Sequence, residues 1–314
     1  NNRAKEMRER GIYIAFIVCM IAGFNLVSVA QYSSTNSQYM FNGLILNPAY
    51  AGAGNVAAVS LNYRNQWTGF SGSPETQTLS GHTPLRGNTI SVGGILTHDK
   101  IGVNSDLNLM GVASYKIEYR RSQLNFGLGA GIGLTQSRWS DVVTEQENDQ
   151  LFQNDKSSFR PLFSMGMYYE NKDWYAGYSA PMLLSYSYVS NEKLKPFFSP
   201  AQMEHDLTAG MARRIGRGVT FKPSFLLKVI PTASYQLDLN ANFIFQEKYW
   251  AGISVRMDRS VIVLLEYQIN LQFRIGYAYD HGFNALARNT FGSHELMLIW
   301  QKKNRSLARS PRYF

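Results

Sequence analysis

The chain is 314 residues long, 45% hydrophobic and 17% charged, with a formal net charge of +9 and one cysteine, Cys19. Much of that charge is terminal: residues 1–10 carry four cations and two acids, residues 301–314 five cations and no acid, so the body is near neutral. With no aromatic-basic motif this speaks against nucleic acid as a partner, and a lone cysteine excludes a disulfide or a cysteine metal site.

Residues 1–30 read as a cleavable export signal. Arg8 and Arg10 precede an apolar run over 12–29, and small Ser28 and Ala30 stand before Gln31. Met7 is the better initiator, since it leaves a short basic stretch before that run. An uncleaved membrane helix is the alternative, but Gly23 and Asn25 interrupt a run already short for a span of about 20 residues. Residues 31–55 are expected to be a periplasmic segment containing Asn47-Pro48-Ala49-Tyr50-Ala51-Gly52. Pro48 fixes φ and lacks a donor, and Asn47 and Gly52 suit tight turns, so this stretch reads as a rigid knot or a plain lead-in before the first strand.

From 56 to 301 the dominant signal is alternation. Over 248–258, Tyr249, Ala251, Ile253, Val255 and Met257 are apolar, against Trp250, Gly252, Ser254 and Arg256. A strand sends successive side chains to opposite faces, so one face is oily and the other polar or small. The same pattern recurs over 107–119, 124–134, 235–245 and 271–279. Short connections are expected near 86–88, 120–122, 170–173, 215–218, 246–248 and 269–270. Longer ones are expected at 68–75, 99–105, 138–158, 180–203 and 281–292, while 230–233 and 258–260 are short exceptions in that series. About 14 antiparallel strands with alternating short turns and long loops predict a transmembrane outer-membrane β-barrel, all-β in class. Trp67, Trp139, Tyr168, Tyr169, Trp174, Tyr175, Trp250 and Trp300 are placed in interfacial girdles. Residues 302–314 form a basic periplasmic tail, free to meet an acidic partner or anionic head groups.

The run Gly127-Leu128-Gly129-Ala130-Gly131-Ile132-Gly133 has no following helix, so it reads as a strand whose small inner face is approached closely, not as a phosphate loop. Asp141, Glu145, Glu147, Asp149 and Asp155 lack calcium-loop spacing and read as a solvated external loop. The five histidines form no metal motif, and no nucleophile stands beside His98-Asp99 or Asp280-His281, so neither catalytic residues, a metal nor a cofactor are expected. By parity the inner face holds Arg64, Gln66, His82, Arg86, Lys116, Glu118, Lys222, Lys228, Asp238, Arg256, Asp258, Arg274, Asp280 and Glu295, with Trp67 at the outer rim. Charges of both signs suit an open pore, or a filled lumen in which they pair; the filled lumen is the expectation, with Arg64 meeting an acid at the barrel seam.

Several stretches in order resemble the PorP/SprF family of type IX secretion outer-membrane proteins of the Bacteroidota. They are the 47–52 segment above, Tyr63-Arg64-Asn65-Gln66-Trp67-Thr68-Gly69-Phe70, then Pro74, His82, Pro84 and Leu85, then Asp99-Lys100-Ile101-Gly102. Trp250-Ala251-Gly252-Ile253-Ser254-Val255-Arg256, Gly276-Tyr277-Ala278-Tyr279-Asp280 and Gly292-Ser293-His294-Glu295-Leu296-Met297-Leu298 follow. The resemblance implies a non-enzymatic barrel assisting export or surface anchoring of a large adhesin or another client with a C-terminal signal, in one branch linked to gliding motility. It implies a periplasmic ring lipoprotein and a peptidoglycan-binding protein as partners, beside outer-membrane lipid. A passive porin or small-molecule transporter is the alternative.

Overall fold

A computed structural model describes residues 36–142, 154–189, 193–257, 260–283 and 290–302 of the chain. The wall is built in chain order from β1 (Ala58–Asn65), β2 (Glu75–Pro84), β3 (Ile90–Ile101), β4 (Asn104–Glu118), β5 (Ser122–Ser137), β6 (Lys156–Asn171) and β7 (Trp174–Ala180). A separate hairpin, β8 (Ser185–Val189) and β9 (Lys193–Phe197), interrupts it. The wall resumes with β10 (His205–Met211), β11 (Arg213–Gly216), β12 (Val219–Ile230), β13 (Ser234–Phe245), β14 (Tyr249–Arg256), β15 (Ser260–Gln268), β16 (Phe273–Gly282) and β17 (Ser293–Gln301). β10 and β11 both pair with β12 and form one strand interrupted at Ala212, so the wall has fourteen antiparallel strands. It closes on itself where β1 pairs with β17, with Arg64 opposite Glu295.

Alternation makes this wall. Leu128 is 68% exposed, while Gly127 and Gly129 on either side of it are buried. Along β14, Tyr249, Ile253 and Val255 face out and Trp250, Gly252, Ser254 and Arg256 face in. A continuous apolar belt on a closed antiparallel wall, with each strand paired to a neighbour on either side around the ring, is the arrangement a bilayer demands.

Both ends of the wall and six short turns lie at one end of the barrel, here the turn end; the remaining connections lie at the opposite, loop end. One expected loop is absent: over 99–105 the strands continue, leaving Gly102 and Val103 as a two-residue turn, with Gly102 at φ +57. The girdle is also smaller than expected. Tyr168, Tyr175 and Trp250 are buried inside the barrel, and Trp67 and Trp139 sit in loop-end connections. Tyr169 and Trp174, 4.7 Å apart, remain on the outside at the turn end.

What fills the lumen is the amino-terminal segment. Residues 36–56, expected as a periplasmic lead-in, lie within the wall as four short 3-10 turns: Tyr39–Phe41, Gly43–Ile45, Pro48–Tyr50 and Ala53–Asn55. The Asn47 side chain accepts from the Ala49 amide and caps the third turn, with Pro48 at its first position. Gly52 and Gly54, at φ +81 and +64, then stop any longer helix from forming. The segment begins beside Glu295 near the loop end and finishes at the turn end, where Asn55 accepts a hydrogen bond from Lys116. The expected export signal and the basic tail beyond Lys302 lie outside the described residues.

Candidate functional site: the plugged lumen

Three sets of contacts hold the plug. Near the loop end, Glu295 is fully buried and accepts the backbone amides of Ser37 at 2.6 Å and Gln38 at 3.1 Å. The Arg64 guanidinium donates to Ser37 Oγ at 2.6 Å, to Asp280 at 2.9 Å and to Glu295 at 3.4 Å. Arg256 links Asp280, at 3.6 Å, to Asp238, which it grips at 3.0 Å through two nitrogens. Arg64, Arg256, Asp280 and Glu295 therefore form one network with Asp238 across β1, β13, β14, β16 and β17. Buried charges persist only when paired and hydrogen-bonded, and here the plug backbone supplies part of the pairing.

In the middle, the Asn47 amide donates to the backbone carbonyls of Met167 at 2.9 Å and Tyr178 at 3.1 Å. The Ser179 and Ser114 hydroxyls donate to the Leu46 and Ala51 carbonyls. The small face of β5 is explained in part here: a Cβ at Gly127 would lie 2.1 Å from the Ala49 nitrogen, and on the neighbouring β6 one at Gly166 would lie 2.0 Å from Asn47 Oδ1. At Gly127 glycine is required because plug backbone lies directly against the wall, at Gly166 because the Asn47 and Pro48 side chains do, while Gly129 and Gly131 are crowded by wall atoms of β4 and β6. Gly52 donates its amide to His82 Nδ1 at 3.1 Å.

The third set is apolar. Tyr39, Met40, Phe41 and Leu46 pack on Leu226, Ile244, Ile262, Leu264 and Met297, all inward-facing wall residues. Removal of such side chains from water contributes about 1.5–3 kcal/mol each. Toward the turn end, Phe41 also lies under Lys222 and Arg274, 5.7 and 6.0 Å from its centroid, and Arg274 meets Glu266 at 3.4 Å. Beside the plug, among the described residues, lie two clefts of about 40 and 30 Å³, each with room for a few waters.

The expected inner face is corrected at three places. Gln66 lies past the end of β1, its amide bonded to the Pro74 carbonyl. Arg86 sits exposed on a turn, and Glu118 is exposed at the end of β4, 2.8 Å from Lys116. Asp258 lies outside the described residues. Trp67 is half-buried in the loop after β1 at φ +55, its amide donating to Ser293 Oγ at 3.2 Å. Glu204, Asp206 and Glu266 went unnoticed in the sequence although all are buried inside; Lys228 meets the first two at 2.7 and 3.8 Å. At the loop end the Ser140 hydroxyl and amide hold the exposed Asp155 carboxyl below its ordinary pKa.

The sequence model of a family described as type IX secretion system membrane protein PorP/SprF matches residues 28–300. No curated protein matches the chain. Among solved structures, the P. putida toluene transporter TodX is similar over 86% of this chain and 95% of its own, at 11% identity and a TM-score of 0.46. The KdgM porin is similar over 79% and 99%, at 10% identity and a TM-score of 0.36. A mutant of the Rh. blastica porin is similar over the same shares, at 7% identity and a TM-score of 0.34.

Proposed function

The chain belongs to the PorP/SprF family of type IX secretion system membrane proteins, and from that premise we propose a non-enzymatic outer-membrane barrel that assists export or surface anchoring of a client protein. The client is a large adhesin or another protein with a C-terminal signal, in a gliding cell a motility adhesin. A cleavable signal over residues 1–30 directs the chain to the outer membrane, with the turn end in the periplasm.

The observation that carries this reading is the occupied lumen. A wall whose inner charges are paired and whose centre is packed with its own residues 36–56 suits a rigid holder better than a conduit. The work then falls to the ends. Loop-end connections over 138–158 and 180–203, which include the β8–β9 hairpin, offer a client surface. The turn end and the tail over 302–314 offer one to the periplasmic ring lipoprotein and its peptidoglycan-binding partner. Asn47, Pro48, Gly52, Arg64, Arg256, Asp280 and Glu295 act in this reading by fixing the plug, Gln66 and Trp67 by shaping the loop end.

Deleting the gene and comparing proteins displayed at the cell surface tests the proposal. Loss of one or a few large clients, and their co-purification with the tagged barrel, is the expected result. A mutant that keeps every surface protein in place refutes it.

A further inference from the structure

The turns at one end of the barrel carry an unbalanced ring of charge. Five of the six present at least one exposed cation: Arg86, then Arg120 with Arg121, then Lys172, Arg217 and Lys248. Acids are few there. Glu118, Asp173 and Glu247 are exposed, and each already has a cation within 4 Å: Lys116, Lys172 and Arg214 respectively. Arg86, Arg120, Arg121 and Arg217 meet no carboxylate among the described residues. At the loop end, by contrast, Lys100, Arg138 and Lys156 mix with Asp99, Asp141 and Asp155.

A second observation lies just inside this ring. Outward-facing aromatics ride at the same end: Tyr115, Tyr119, Trp174, Phe245, Tyr249 and Phe273 are all exposed. The Lys248 ammonium stands 5.7 and 5.3 Å from the centroids of the Tyr249 and Tyr267 rings, which are themselves 5.3 Å apart. The sixth turn, without charge, presents Ile269 and Leu271, the latter 73% exposed. Aromatics at head-group depth with cations immediately beyond them fit a membrane–water interface.

We propose that this collar is a binding surface for anionic phospholipid head groups of the leaflet at the turn end. An acidic protein would dock on one side of the barrel. Cations distributed over five of the six turns, along most of the circumference, match a continuous partner, which the head-group plane is. Each contact sets a guanidinium or ammonium against a lipid phosphate, the four arginines having no carboxylate partner among the described residues, and at close range a single basic side chain gains roughly fivefold in affinity. The collar anchors the depth of the barrel independently of any secretion role, and it holds whether or not the export reading does.

The test uses the full-length barrel, with Trp67→Phe and Trp139→Phe to leave the tryptophans of the turn end and lumen, reconstituted in vesicles. Tryptophan quenching by brominated phosphatidylglycerol diluted in phosphatidylcholine, and by brominated phosphatidylcholine diluted in phosphatidylglycerol, gives their relative binding constant. The expected preference for phosphatidylglycerol is about twofold to fivefold at low salt, falling toward one near roughly 0.5 M salt. It falls equally in Arg86→Gln/Arg120→Gln/Arg121→Gln/Arg217→Gln, whose side chains are exposed and whose folded state is checked by heat-modifiable gel mobility. Lys100→Gln/Arg138→Gln at the other end leaves it unchanged. A relative constant of one in the parent at low salt overturns the proposal, as does a quadruple variant that keeps the parent's preference. So does an absence of lipid preference with retention of soluble polyglutamate by the same four arginines, which assigns the collar to an acidic polypeptide.

Discussion

Glu295 has no exposed surface, and its carboxylate is satisfied by two plug amides, Asn62 and Arg64. Removing one partner of a buried charged pair leaves the other uncompensated, at a cost of about 3–5 kcal/mol. Arg64→Ala and Glu295→Ala are each expected to destabilise the folded barrel on that scale, measured by urea titration in vesicles. In the double mutant the two losses should not add, because neither charge is then stranded; additive losses in that cycle would show the two residues to be uncoupled. A gentler probe is Gly127→Ala. One methyl group meets the Ala49 nitrogen at 2.1 Å, so the plug must shift, and overpacking of this kind costs about 1–3 kcal/mol. Protease accessibility of residues 36–56 should rise in this variant while the wall keeps its gel mobility.

At the level of the strand, β14 carries a face argument that a single substitution decides. Ile253 is 54% exposed on the outer face, and its neighbour Ser254 is buried on the inner one. Ile253→Lys should cost about 2–4 kcal/mol in vesicles if that face meets lipid at mid-depth, and little in a detergent-free water-facing setting. The strand count, the outer face and the small face of β5 were all legible because period-two alternation is written directly into the residues. The plug was not, since a segment of 3-10 turns has no period to find and its glycines and Pro48 read equally as a free lead-in. One signal did exist. Ile262, Leu264, Met297 and Ile299 stand on the inner parity of β15 and β17, and apolar side chains facing a lumen need an apolar occupant. Glu266 was hidden by the same circumstance, at the end of a run that is oily on both faces. Glu204 and Asp206 were missed because the strand holding Asp206 follows a long connection and begins at His205 without a preceding alternation.

For the whole molecule the prediction concerns passage. The plug packs against the inner wall and the clefts described beside it are only about 40 and 30 Å³, so the intact barrel in a planar bilayer should show little steady current. A variant lacking residues 36–56 should show large, long-lived openings; an intact barrel that conducts like a porin would make the small-molecule reading the better one. The plug also bears on how the barrel is made. Gln38 and Glu295 are 257 positions apart, and Glu295 sits on the last strand, opposite Arg64 on the first. The strand that completes the ring is thus the one that fastens the first segment. Contacts so distant in sequence form late and slowly. Closing the ring and fastening its occupant therefore converge on one strand, so a change at Glu295 reaches both the seam and the plug.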